Sequence, residues 1–206
     1  MANRYPRQSA TGNAPASKHD WQATKTFTGR AYLCSYCDNR VASVKGFSSS
    51  NPEARIRICP LCCEPTYFTG RGAEQIPGVK IGETVQNVPP DIDRIYEEAR
   101  ACYSVSGYTA AVMLCRKVLM NVAVAEDAEE GKTFAAYVDY LGDNGFVPPK
   151  GRGWIDHIRT KGNEANHEIP AMTEADAQEL IHFTGMLLKF IYELPARLPA
   201  ATVSPE

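Results

Sequence analysis

The chain has 206 residues, 44% of them hydrophobic and 22% charged, which excludes a disordered protein and allows one ordinary domain or two small ones. A formal charge of −2 excludes a polybasic coat for nucleic acid, yet residues 1–90 carry a net +5 and residues 91–206 a net −7. Halves of opposite sign point to two modules.

Residues 1–28 are polar, show no sustained period and read as a flexible arm, with Trp21 and Phe27 as anchors that pack on the next module. The N-terminus has early arginines but no apolar stretch behind them, so it does not read as a secretory signal. No run reaches the ~18 consecutive apolar residues that cross a bilayer, so no membrane partner is expected. Seven cysteines without an export signal fit a reducing cytoplasm, where sulfur serves metal binding or core packing.

Residues 29–68 read as a small β module. Arg55-Ile56-Arg57-Ile58 alternates charge and apolar bulk, as a strand with one wet face does. Within this module Cys34-Ser35-Tyr36-Cys37 and Cys59-Pro60-Leu61-Cys62 form two C-x2-C knuckles with 21 residues between them. Two residues between thiols let both sulfurs of a tight turn face one point, and two such turns complete a tetrahedron. The spacing lies just past the upper edge of the zinc-ribbon range. Cys34, Cys37, Cys59 and Cys62 are therefore expected to hold one structural zinc per chain; an iron–sulfur cluster and a redox dithiol are the other readings. Cys63 reads as a spare thiol, and Cys102 and Cys115 as core residues. Arg55 and Arg57 are expected on the wet face, with Arg40 and Lys45 on the facing arm. Such a patch suits phosphate, although exposed strands also carry charge for solubility.

Residues 69–90 are rich in Gly and Pro and read as a linker with one short extended piece. Beyond Pro90 the apolar period becomes 3.6, and residues 91–196 read as five helices. The first carries Ile92, Ile95, Tyr96, Ala99, Cys102 and Tyr103, and Gly107 interrupts it. The second carries Ala111, Leu114, Cys115, Val118, Val122 and Ala125. Thr133 caps a third, with Gly142 as its stop. The loop Pro148-Pro149-Lys150-Gly151-Arg152-Gly153 places Lys150 and Arg152 before a fourth helix, an arrangement that suits an anion or simply turns the chain. Thr173 and Asp176 form a variant capping box for a fifth helix, which Pro195 closes. Residues 197–206 read as a flexible tail.

On the fourth helix Arg159, Asn163 and His167 recur at i, i+4 and i+8, within about 80° of one another. Three polar groups on one side either satisfy a structural network, which Arg116 of the second helix would join, or face a functional surface. There Arg would stabilise phosphorane charge, His would act as acid or base, and Asn would position a hydroxyl.

The stretches DIDRIYEEARACYSVSGYTAAVMLCRKVL and GFVPPKGRGWIDHIRTKGNEANH, followed by the long terminal helix, resemble the helical family catalogued as domain of unknown function 4145. The resemblance covers about residues 88–195, and its most specific part is Arg159…Gly162-Asn163…His167. It implies a bundle like those of the HEPN (higher eukaryotes and prokaryotes nucleotide-binding) group. Many of these belong to prokaryotic defence systems and act as metal-independent ribonucleases on dimerisation. Their motif is Arg, about four to six residues, then His; here seven residues separate Arg159 from His167, and four separate Arg152 from His157. The expected protein is mainly α, with a zinc ribbon before a five-helix HEPN-like bundle. Its expected role is to bind nucleic acid or a defence-system partner, without catalysis, as a homodimer in the cytoplasm. The alternative is a ribonuclease using Arg159 and His167.

Overall fold

The computed structural model describes residues 19–50, 54–70, 74–147, 151, 153, 154, 158 and 171–197. The chain divides into two compact units, residues 1–80 and 81–206.

The first unit is an antiparallel meander of β1 (Lys25–Leu33), β2 (Arg40–Ser48), β3 (Arg55–Ile58), β4 (Pro65–Phe68) and β5 (Gln75–Ile76), hydrogen-bonded in chain order. β1 is rich in Thr and aromatic residues, which suit a pleated, half-buried surface. Its first four residues, 25–28, fall within the stretch expected as the arm. Its register against β2 shifts between Thr26 and Arg30, a bulge that bends the strand. The bend brings β1 to β4, which is not its neighbour in the sheet: Tyr32 meets Phe68 edge to face at 5.2 Å. Trp21 anchors as expected, donating its indole N–H to the Cys63 carbonyl at 2.7 Å and meeting Phe47 edge to face.

The second unit holds α1 (Pro90–Ser104), α2 (Tyr108–Ala125), α3 (Phe134–Asp143) and α4 (Glu174–Leu188). α1 opens on Pro90 with Asp91 and Asp93 in its first turn, both favourable at a helix N-terminus. Thr133 caps α3, and the Thr173–Asp176 capping box opens α4. α4 continues through a π-helical turn, Lys189–Glu193, to Leu194–Ala196. These are the four long helices among the described residues. Of the expected fourth of five, only Trp154 and Ile158 are described, with Ile158 buried in the core.

α2 is the centre of the bundle and packs against α1, α3 and α4. Accordingly it buries two faces: Val112, Leu119 and Ala123 are buried in addition to Ala111, Cys115, Val118 and Val122 of the expected stripe, whose Leu114 is half-buried and whose Ala125 is exposed. Among the described residues it is the one helix long and apolar enough to cross a bilayer. Arg116, Lys117 and Asn121 interrupt it, and its apolar residues form the bundle's own core.

Two boundaries differ from the sequence reading. α3 runs through Gly142, which is buried, and the left-handed backbone that follows is taken by Gly145 at φ +80°. In the stretch expected as a linker Gln75 and Ile76 form the short extended piece, β5, but Val85 is fully buried in the helical core. A buried arginine on α1 fixes that second part. Arg100 donates from Nε to the Ile81 carbonyl at 2.9 Å and from Nη2 to the Gly82 carbonyl at 3.0 Å, and pairs with Glu97 at 2.8 Å.

Candidate metal centre

Consecutive hairpin turns of an antiparallel meander alternate between its two ends, so the β1–β2 and β3–β4 turns share one end. Both turns are C-x2-C knuckles, built alike. The Cys34 N–H donates to the Asn39 carbonyl (3.0 Å) and its carbonyl accepts from Asp38 (2.9 Å). The Cys59 N–H donates to Glu64 (3.0 Å) and its carbonyl accepts from Cys63 (3.0 Å). Asp38 and Cys63 occupy equivalent places, with φ of +54° and +62°. The first knuckle is held further by Ser35, whose hydroxyl donates to the Pro77 carbonyl at 3.0 Å and accepts from Gln75 of β5 at 3.1 Å.

The four sulfurs of Cys34, Cys37, Cys59 and Cys62 all lie within 4.8 Å of one another. Cys34 Sγ is 3.7 Å from Cys62 Sγ, and Cys37 Sγ is 3.9 Å from Cys59 Sγ. A zinc ion bonded at about 2.3 Å to four sulfurs sets them about 3.8 Å apart, so the set fits a tetrahedral metal such as zinc. Sulfurs this close share protons. Hydrogen bonds led by the one from Cys34 hold the Cys37 and Cys59 thiols below the ordinary value, Cys59 at about 7. The same contacts push Cys34 and Cys62 up, led by Cys37 and by Cys34 respectively. With all four positions taken by sulfur, the set can organise the fold and leaves no coordination place for a substrate.

Cys63 lies outside this set, and its place is a backbone one. The left-handed region costs a residue with a Cβ about 1–2 kcal/mol, and glycine avoids that cost. Cys63→Gly is therefore expected to keep one metal per chain and to match or exceed the parent's stability by up to about 1 kcal/mol, read by metal analysis and thermal unfolding. Loss of metal in that variant would make Cys63 a ligand. Cys102 and Cys115 belong to the other unit; Cys115 is fully buried, and burial pushes its thiol up to about 12.

The family described as Domain of unknown function (DUF4145) matches residues 97–204, just over half of the chain. The chain belongs to the DUF4145 family. The match opens within α1 and takes in every later helix of the bundle, and the knuckles lie ahead of it. No curated protein and no solved structure matches this DUF4145 chain.

The basic residues of the β unit are arranged differently from the sequence reading. Arg57 does not lie on a wet face: it is buried, at 4% exposure, and Arg55 is half-buried. The reason is Phe27, beside the bulge in β1, whose ring lies 4.9 Å from the Arg55 guanidinium and 5.0 Å from that of Arg57. Arg57 Nη1 donates to the Ser43 carbonyl at 3.2 Å. Burial first, and then the charges of Arg55 and Arg30, hold its guanidinium below the ordinary arginine value. Arg30 lies 4.1 Å over the Phe68 ring. Sequence reasoning missed Arg30, and the bulge that turns it inward is not visible in residue types. Arg40 and Lys45 are exposed on β2, opposite Leu33 and Thr26.

Lys150, Arg152, Arg159, Asn163 and His167 lie outside the described residues. Arg116, expected to join their network, stacks on Phe134 of α3 with its guanidinium 4.4 Å from the ring centre.

Proposed function

We propose that this DUF4145 chain is a non-catalytic recognition module of a prokaryotic defence-type system, working in the cytoplasm and binding nucleic acid or a partner protein. The observation that carries this reading is the closed set of four thiols in a unit whose arginines cluster on aromatic rings. Zinc there would stabilise a scaffold, and the guanidinium edges would supply the contacts. The helical unit is read as an HEPN-like bundle that pairs two-fold with a second copy. Phe190, with Met186 and Leu194, is exposed on the last helix, whereas Phe183 is buried and stacked on Trp154 at 6.1 Å. Light scattering is the measure of that pairing, and a monomer at high micromolar concentration would exclude it.

The second reading, a metal-independent ribonuclease, rests on Arg159 and His167 within the matched family region. One experiment separates the two. The full chain is incubated with mixed RNA in buffer free of added metal, and its retention on RNA is measured against salt. The expected result is intact RNA and retention that weakens as salt rises. Cleavage that disappears in His167→Ala would replace the recognition module with the nuclease.

A further inference from the structure

The two knuckles share a backbone design but differ in what covers their turns. The first is clasped by the segment that follows β4. Gln75 donates from Nε2 to the Leu33 carbonyl at 2.8 Å and to the Ser35 hydroxyl at 3.1 Å. That hydroxyl is shared in turn between the carbonyls of Pro77 and Gly78. Lys80, its side chain largely out of solvent, meets the Asp38 carboxylate at 3.7 Å, and Asn39 donates to the Cys37 carbonyl at 2.7 Å. Ser35 is buried under this cover. The turn of the second knuckle is bare. Pro60 and Leu61 are exposed, and among the described residues no side chain bonds to either. Its anchors lie behind the turn, where Trp21 holds the Cys63 carbonyl and His19 meets Glu64 at 3.6 Å.

A thiolate in a closed four-sulfur metal site reacts once its turn has swung away from the metal, which is a local opening. The metal–sulfur bond that breaks is of the same kind at either knuckle. Opening the first also breaks the clasp, whereas opening the second leaves the clasp intact. We propose that Cys59-Pro60-Leu61-Cys62 is the redox-sensitive half of the metal site, where a hydroperoxide converts Cys59 and Cys62 to a disulfide and expels the zinc. The half-buried Cys62 thiolate attacks one peroxide oxygen; the O–O bond breaks, hydroxide leaves and a sulfenic acid forms. The Cys59 thiolate, whose sulfur lies within 4.8 Å, then attacks the Cys62 sulfur, so that the S–S bond closes and a second hydroxide leaves. Each sulfur gives up one electron and the peroxide takes both. Zinc, left with Cys34 and Cys37 alone, dissociates, and the β unit converts peroxide into loss of its own metal clip. The proposal rests on the four thiols as a zinc site and is independent of the nucleic-acid reading.

The test uses the full chain, its zinc content read by metal analysis. Iodoacetamide is added, and alkylation of each cysteine is followed by peptide mass spectrometry, with the thiols outside the metal set counted separately. Cys59 and Cys62 are expected to react about tenfold faster than Cys34 and Cys37, the worth of a clasp of one or two hydrogen bonds. Hydrogen peroxide in place of iodoacetamide is expected to give the Cys59–Cys62 disulfide, with zinc released in step to a chromogenic chelator and Cys34 and Cys37 still open to alkylation. Dithiothreitol and added zinc reverse it. Ser35→Ala cuts the clasp at its centre and brings the rates of the two knuckles together. If that variant does not load zinc, the order of reaction in the parent chain carries the test. Cys34 and Cys37 reacting first, or all four together, overturns the proposal and leaves the zinc site standing. A disulfide that forms through Cys63, and is therefore lost in Cys63→Gly, overturns it as well. A chain that takes up no zinc overturns the metal site and the redox proposal with it.

Discussion

Cys59→Ser is expected to unfold the β unit and leave the helices of the second unit in place. The β unit has little else to hold it. Its buried apolar cluster consists of Tyr32, Cys34, Val41, Cys59 and Phe68, and two of these five are themselves in the metal set. A core that small does not offset the ordering of some sixty residues. A structural zinc supplies an apparent ~10–16 kcal/mol, and losing one of its four ligands forfeits much of that. The second unit has its own continuous core around α2, from Val85 to Leu188, with no residue from the metal set. The expected signature is zinc well below one per chain with most helical ellipticity retained. Trp21 is held by the Cys63 carbonyl and Phe47, so in a Trp154→Phe background its emission reports the β unit alone and should shift to the red. A chelator should do the same, and added zinc should reverse it. Acid should act in the same direction, because thiols must lose their protons to bind and affinity therefore falls with pH. A Cys59→Ser chain free of metal but with an unshifted Trp21 would show that the sheet stands without its clip.

The parts legible in the sequence were those decided by neighbours along the chain. C-x2-C spacing sets two sulfurs on one turn, and the thiols do meet. Thr133 and Thr173 cap helices through a residue three positions on, and both caps form. What was not legible depended on distant segments. The alternation of residues 55–58 is real as a strand, but which face is wet was decided by Phe27, nearly thirty residues earlier and carried over by a bulge. Arg100 interrupts an apolar stripe and would be excluded from a core on residue type alone. It is tolerated because carbonyls of Ile81 and Gly82, on a stretch that read as linker, accept its protons. α2 shows the same limit from the apolar side, since a stripe on one face cannot reveal that α3 will cover a second.

Gly185→Ala is expected to destabilise the helical unit by about 2 kcal/mol, against the ordinary preference of helices for alanine. On propensity alone the substitution gains about 1 kcal/mol. Packing opposes it. Tyr96 of α1 is fully buried and its hydroxyl points between Gly185 of α4 and Gly82. A methyl group at 185 would overlap that hydroxyl oxygen and sit 3.3 Å from Cζ of the ring. The ring cannot give way, because Gly82, with φ +71°, closes the other side of the same oxygen. Overpacking of this kind costs about 1–3 kcal/mol, and a buried, rigid ring belongs at the upper end. The remedy identifies the cause. The Tyr96 hydroxyl is buried with no hydrogen-bond partner, and burial pushes the phenol above its ordinary titration range. Tyr96→Phe therefore forfeits no bond and opens room for one methyl group. Combined with Gly185→Ala it should restore most of the lost stability, a coupling of about 1–2 kcal/mol in a double-mutant cycle read by thermal unfolding of the helical signal. Two independent losses that simply add would mean that the hydroxyl is not the wedge.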